Sequence, residues 1–288
     1  MTSNCRAWGW HSIYPSPAKL NLFLHVIGRR ADGYHLLQTV FRFLGHGDRL
    51  RFSPRADGLI HLTTPLPGVV AEQDLTVRAA RLLQTETACR AGVDIRIEKR
   101  LPLGGGLGGG SSDAATVLLA LNHLWQVHLP RWRLQEIGLA LGADVPVFIF
   151  GHSAFAEGVG EKLQAVELPP RWYVVLEPPL QVPTAAIFGA PELKRDSLPI
   201  EPQAWRPGVG GNDLEAVACA RFPSIARHIA CLSALAPSPA RMSGSGACVF
   251  AEFAGREEAG AALRQLPEGM RSWATAGLDR HPLLELAD

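Results

Sequence analysis

The sequence predicts an α+β protein of two lobes. Three observations lead there. The chain has 288 residues, more than one average domain needs. Apolar residues make up 47% of it and charged residues 19%, enough to bury a sizeable core. Short stretches of period-two patterning are mixed with stretches of three-and-four spacing, without strict β-α alternation.

The elements follow in order. Leu20, Leu22, Leu24 and Val26 share one face while Lys19, Asn21, Phe23 and His25 share the other, which reads as a half-buried strand. Asp32-Gly33 is a tight turn into a second strand over Leu36 to Leu44. Arg49 to Phe52 and Leu59 to Leu62 are short strands, and Leu75 to Leu83 has helical spacing with Asp74 as its N-cap. Val93 to Ile97 alternates again and leads into a glycine tract. Beyond it Ala114, Leu118, Leu121 and Trp125 mark an amphipathic helix starting near Ser111, followed by a helix over Leu134 to Leu141. Strands are expected at Ser153 to Ala156, Trp172 to Leu176 and Ala247 to Phe253. Helices are expected at Leu214 to Ala220, Ile225 to Leu235 and Glu257 to Leu266. Pro191 to Gly211, rich in proline and weakly periodic, reads as a linker or long loop.

Charge and cysteine usage narrow the function classes. Lys+Arg number 28 and Asp+Glu 27, a balance that argues against nucleic acid as a partner held by bulk charge. The five cysteines include no C-x-x-C pair and the ten histidines no H-E-x-x-H, so neither a disulfide framework nor a zinc hydrolase is announced. No apolar run reaches membrane-spanning length, and Met1 to Pro15 carry no apolar h-region. A cytoplasmic, reducing setting is expected. The choice between monomer and homodimer is left open.

The most informative segment runs Pro102-Leu103-Gly104-Gly105-Gly106-Leu107-Gly108-Gly109-Gly110-Ser111-Ser112-Asp113, with six glycines in seven positions between a strand and a helix. Such a backbone brings its N–H groups close to an anion, and the following helix presents unpaired N–H groups and the positive end of its dipole. Ser111 and Ser112 add hydroxyls for phosphate or Mg²⁺. No Gly-Lys-Ser/Thr ends the tract, so it is not a Walker loop, and the acidic residue of a Rossmann fingerprint is missing.

Two polar islands lie elsewhere. Lys19 is either a strand-end lysine snorkelling to water or a cation near transferred phosphate. Asp144, the one charge beside Val145-Pro146-Val147-Phe148, is an N-cap, a base for a substrate hydroxyl, or both. Ser243-Gly244-Ser245-Gly246-Ala247-Cys248 is a second glycine-containing turn, weak by itself.

Taken together, Pro15 to Leu22, Pro102 to Ala115 and Ser243 to Cys248 resemble, in order, the three motifs of the galactokinase–homoserine kinase–mevalonate kinase–phosphomevalonate kinase (GHMP) superfamily. Gly28 to Thr39, through Ala31-Asp32-Gly33-Tyr34-His35, and Ala143 to Phe148 narrow the resemblance to the branch whose acceptor carries a cytidyl group. The resemblance covers Pro15 to Phe253. It implies an N-terminal lobe, residues 1–163, like domain 2 of ribosomal protein S5, and a C-terminal ferredoxin-like α/β sandwich, residues 164–288. It also implies transfer of the γ-phosphoryl of ATP, with Mg²⁺, to a hydroxyl of a small molecule in isoprenoid precursor synthesis; homoserine, mevalonate or a sugar is the alternative acceptor. By the same resemblance Asp144 and Lys19 are catalytic, Asn21 orients the acceptor, and Lys99 and Pro102 to Ser112 hold the nucleotide. Tyr34 and Phe188 would sandwich the cytosine, His35 would bond its edge, and Thr184 would face the substrate. The metal ligands stay unassigned. Asp113 and Asp74 stand where relatives often carry Asn, and Ala185 where some carry Pro.

Overall fold

The computed structural model describes residues 8–65 and 68–287; Cys5 and the first seven residues of the stretch tested for a leader lie outside them. Strands β1 (Tyr14–Arg29) and β2 (His35–Arg55) form a long antiparallel hairpin. Its turn is closed by Arg30 N to Tyr34 O at 2.7 Å. β3 (Ile60–Leu62), α1 (Leu75–Thr87), β4 (Gly92–Glu98), α2 (Gly109–Leu124), α3 (Arg131–Leu139) and α4 (Val145–Phe150) follow. Then come β5 (Ala154–Glu157), β6 (Lys162–Ala165), β7 (Trp172–Leu176), α5 (Thr184–Phe188), α6 (Glu215–Arg221) and α7 (Pro223–Ser233). The chain ends with β8 (Arg241–Met242), β9 (Val249–Phe253), α8 (Arg256–Gln265) and β10 (Ser272–Leu278). The main sheet runs β3-β4-β2-β10-β7-β9-β8.

The long hairpin organises the molecule. β1 lines one edge of β2, and the other edge pairs in turn with β5 at 39–41, β10 at 43–44 and β4 at 49–55. Where two strands were expected, over 36–44 and 49–52, there is one of 21 residues. Gly45-His46-Gly47-Asp48 interrupts the alternation but is absorbed by a register shift between Pro17 and Lys19, whose partners jump from Gly47 to Phe43. β1 also departs from the half-buried reading. Phe23 is fully buried, and Lys19 and Asn21 are buried with it. Its polar face looks onto an interior space, not onto bulk water.

One core packs α1 to α4 against β2 and β4 around Phe43, Phe52, Leu118 and Phe148, and takes in Leu283 and Leu286 from the end of the chain. A second packs α6 to α8 on β7 and β9 around Val174, Val217, Ile225 and Val249. Residues 191–211 form neither helix nor strand, yet they are no free linker. Ser197 N donates to Val26 O at 3.1 Å and Trp205 stacks on Phe23 with ring centroids 5.9 Å apart. Asp74 caps α1 as expected, accepting from Thr76 N at 2.8 Å. The pieces absent from the sequence reading are β6, α5, β8 and β10.

Candidate active site

The glycine tract leaves β4 and enters α2, and each end of it is anchored by charge. Lys99 Nζ lies 2.6 Å from Asp48 Oδ2 and 2.8 Å from Asp113 Oδ2. The other Asp48 oxygen accepts Arg100 N at 2.5 Å and Leu101 N at 2.8 Å, and the other Asp113 oxygen accepts Ser16 Oγ at 2.7 Å. Burial alone would lower the Lys99 pKa, but the two carboxylates overcome it and hold the ammonium above its ordinary range. The Asp113 carboxyl is pushed up to about 6 by burial, with Asp48 adding repulsion and Lys99 opposing both.

The middle of the tract is held by its own carbonyls. Leu107 O accepts Lys19 N at 2.9 Å, Gly105 O accepts Cys248 N at 3.0 Å, and Gly106 O accepts both Ser243 Oγ at 3.0 Å and Lys19 Nζ at 3.1 Å. Gly106 has φ +75°, and a Cβ there would overlap the Ser243 carbonyl oxygen; at Gly108, φ +70°, a Cβ would sit 3.0 Å from Lys19 Cε and from the Phe148 ring. With the carbonyls occupied on the protein side, the first amides of α2, from Gly109 to Ser111, have no intrahelical acceptor. That is an anion site.

Lys19 and Asp144 meet at the mouth of this tract. Lys19 Nζ is 3.2 Å from Asp144 Oδ2 and 2.6 Å from Asn21 Oδ1, and it lies over the Phe41 ring at 5.4 Å. Asn21 Nδ2 donates in turn to Thr39 Oγ1 at 2.9 Å, so this amide serves the lysine and β2. Asp144 occupies the cap position of α4, but its side chain caps no amide. The carboxylate is 36% exposed, and the ammonium it faces 3%. A cation is thus held out of water by the protein while its partner stays open to a ligand.

A single cavity of about 980 Å³ takes in the tract from Pro102 to Ser111, the Lys19–Asp144 pair, Asn21 and Lys99, and reaches Tyr34, His35, Thr184 and Phe188. Tyr34 is largely exposed on its rim. The ring neighbour of Phe188 is His35, 5.1 Å away at 35°. Thr184 Oγ1 lies 2.8 Å from Ser245 Oγ, which ties α5 to the second glycine turn. Ser112 does not line the cavity. It is one helical step past Ser111, fully buried, and bonded by Ser16 Oγ at 2.9 Å. Lys99 borders the space, but its ammonium is already enclosed by two carboxylates. Sequence reasoning missed Ser16, Asp48 and Thr39 as partners of the site. Ser16 between two prolines and a lone Asp48 after Gly47 were the available signals.

These elements can hold a polyphosphate at a helix start and set a carboxylate–ammonium pair beside it. The comparisons with known proteins agree. The family model of the GHMP kinases N terminal domain matches residues 74–152, and that of the GHMP kinases C terminal matches 204–272. The fold is that of a GHMP small-molecule kinase. The chain is 64% identical over 275 residues to 4-diphosphocytidyl-2-C-methyl-D-erythritol kinase of Dechloromonas aromatica, covering 96% of this chain and 100% of that one. It is 58% identical to the enzyme of that name from Thiobacillus denitrificans, over 94% and 97% of the two chains. A crystal structure of 4-(cytidine 5'-diphospho)-2C-methyl-D-erythritol kinase superposes with a TM-score of 0.79 at 38% identity, over 92% and 99%. The chain belongs to the 4-diphosphocytidyl-2-C-methyl-D-erythritol kinase family. Among the described residues no helix is long and apolar enough to cross a membrane.

Proposed function

We propose that the chain transfers the γ-phosphoryl group of ATP to the 2-hydroxyl of 4-diphosphocytidyl-2-C-methyl-D-erythritol, a step in isoprenoid precursor synthesis. The observation that carries the reading is the 3.2 Å approach of Lys19 Nζ to Asp144 Oδ2 in the same cavity as the glycine tract and the Tyr34–His35–Phe188 cluster. Phosphoryl transfer asks a protein for positioning and charge stabilisation more than for covalent chemistry. Asp144 accepts the proton of the acceptor hydroxyl. Lys19 pairs with that carboxylate at 3.2 Å and holds the attacking oxygen near it. Asn21 fixes the lysine. The amides from Gly109 to Ser111 bind the phosphates, and Tyr34 and Phe188 offer faces on which cytosine stacks.

Mg²⁺ belongs to the same reading. Among the described residues no group of three or more His, Cys, Asp or Glu could hold a metal. Mg²⁺ carried by phosphates and water needs only one or two protein ligands. The second oxygen of Asp144 and the hydroxyl of Ser111 fit that requirement, whereas both oxygens of Asp113 are engaged. When bound, the ion neutralises charge on the β- and γ-phosphates.

The division into lobes at 163/164 is part of the proposal, supported by family matches on either side of it; the two cores follow it except that Leu283, Leu286 and Ala287 pack in the first and Leu24 and Val26 in the second. Placement in a bacterial cytoplasm is supported by the bacterial relatives and by the free thiols of Cys89, Cys219, Cys231 and Cys248. The test is ATP consumption with the cytidyl acceptor, homoserine, mevalonate and galactose compared side by side. Turnover with the cytidyl acceptor is expected; turnover with one of the others and not with it overturns the reading.

A further inference from the structure

The cytidyl end of the cavity contains one residue with no assigned role that touches both walls. Arg195 lies in the long irregular segment after α5, and all its hydrogen bonds are directed there. Its Nε donates to His35 Nε2 at 3.1 Å. Its two terminal nitrogens donate to the carbonyls of Leu193 at 2.9 Å, Phe188 at 3.0 Å and Ala190 at 2.7 Å. Three backbone carbonyls therefore hold the guanidinium in place, and its Nε–H points at one ring nitrogen. Arginine has donors alone, so the imidazole nitrogen that faces it is the unprotonated one. A neutral imidazole then carries its proton on the other nitrogen. His35 Nδ1 has no protein partner among the described residues, and the ring lines the cavity.

We propose that Arg195 is a positioning residue for acceptor choice, fixing His35 as the Nδ1–H tautomer so that the site requires a hydrogen-bond acceptor on the base it receives. The inference rests on the cytidyl reading above and adds a rule to it. Cytosine presents an unprotonated N3 to such a donor; uracil presents N3–H, and two N–H groups would face each other in a desolvated place. The same guanidinium bonds the carbonyl of Phe188, so the ring that stacks on the base and the ring that reads its edge are set by one side chain. Burial, and then the charges of Arg195 and Arg29, lower the His35 pKa, which keeps the ring neutral at physiological pH.

The experiment compares the cytidine acceptor with its uridine-diphosphate analogue in wild type, Arg195→Met and Arg195→Lys, and reads the His35 tautomer by ¹⁵N NMR of the ligand-free enzyme. Wild type should show Nδ1–H. Arg195→Met should raise KM for the cytidine acceptor and lower the cytidine-over-uridine ratio in kcat/KM by roughly tenfold or more, with kcat changed little. Arg195→Lys, which keeps a donor toward His35, should restore most of that ratio. An Nε2–H tautomer in wild type, an unchanged ratio in Arg195→Met, or equal losses of kcat with both bases would overturn the inference. Failure of wild type to use the cytidine acceptor at all would instead defeat the reading of the substrate.

Discussion

Asp144 stands at the cap position of α4 and caps no amide there; among the described residues its carboxylate is held by Lys19 alone and is open on its other oxygen. If it is the base, Asp144→Asn should lower the single-turnover rate by roughly 10²–10⁴-fold while nucleotide affinity, measured by calorimetry, stays within a few-fold. Unchanged turnover would assign the base elsewhere. Lys19 should behave differently. Its ammonium is bonded to Asn21 and to the carbonyl of Gly106, so Lys19→Ala removes charge from the reacting oxygen and also loosens the tract. The chemical step should slow by more than nucleotide binding weakens, and a loss confined to binding would contradict the role given to the residue. Both residues could be picked from the sequence because each is a lone charge in an apolar surrounding. What could not be read is that Asn21 Oδ1 takes up the lysine ammonium. That depends on Thr39, which sits across the hairpin on β2.

The glycine tract and the elements that anchor it respond as a unit. Lys99 bridges two buried carboxylates, Asp48 and Asp113, that reach it from β2 and α2. Removing it in Lys99→Met leaves those charges buried and unpaired, with a loss of about 3–5 kcal/mol. Thermal melting should fall clearly in the absence of any ligand. If Lys99 chiefly contacted the nucleotide base, melting would be unchanged and only nucleotide affinity would drop. Glycines within the tract divide in the same way. Gly106→Ala meets both a left-handed backbone and the Ser243 carbonyl, and should lower stability and nucleotide binding together; Gly110→Ala, in ordinary helical backbone with Leu75 Cδ1 3.5 Å away, should melt close to wild type. The tract, its strand and its helix were legible because glycine spacing and helical periodicity are local signals. β7 was found with the bounds it has, since five apolar residues stand between polar turns. β10 was not, because Ser272–Leu278 mixes small residues whose alternation is weak, and it is a strand only by pairing with β7 and β2. α5 and β6, at five and four residues, are shorter than any periodicity can show.

At the scale of the whole molecule the end of the chain returns to the first core and lies beneath the helix that carries Asp144. Asp279 pairs with buried Arg42, and Arg131 bonds the carbonyls of Ile149 and Leu284. His281 inserts edge-on between Phe43 and Phe148, with ring centroids at 5.7 and 6.4 Å. Its Nδ1 accepts Leu283 N at 3.1 Å, so the proton is on Nε2, which is buried without a partner among the described residues. Burial, and then the nearby Arg131 charge, push the His281 pKa down to about 3. Unfolding restores the ordinary value near 6.5, so between about pH 3 and 6.5 the unfolded chain binds the extra proton and stability falls as pH falls. From pH 6.5 to 5 that one group should cost about 2 kcal/mol. Urea denaturation across this range should therefore show a steeper decline in wild type than in His281→Leu, where the ring and its proton are gone but the apolar contact with Phe43 and Phe148 is kept in part. Phe148 lies in α4, so the acid-induced loosening should reach the helix below Asp144, and turnover should fall with the loss of structure instead of following a separate titration. Equal slopes in the two proteins would mean that the imidazole is charged in the native state, contrary to its place in the core.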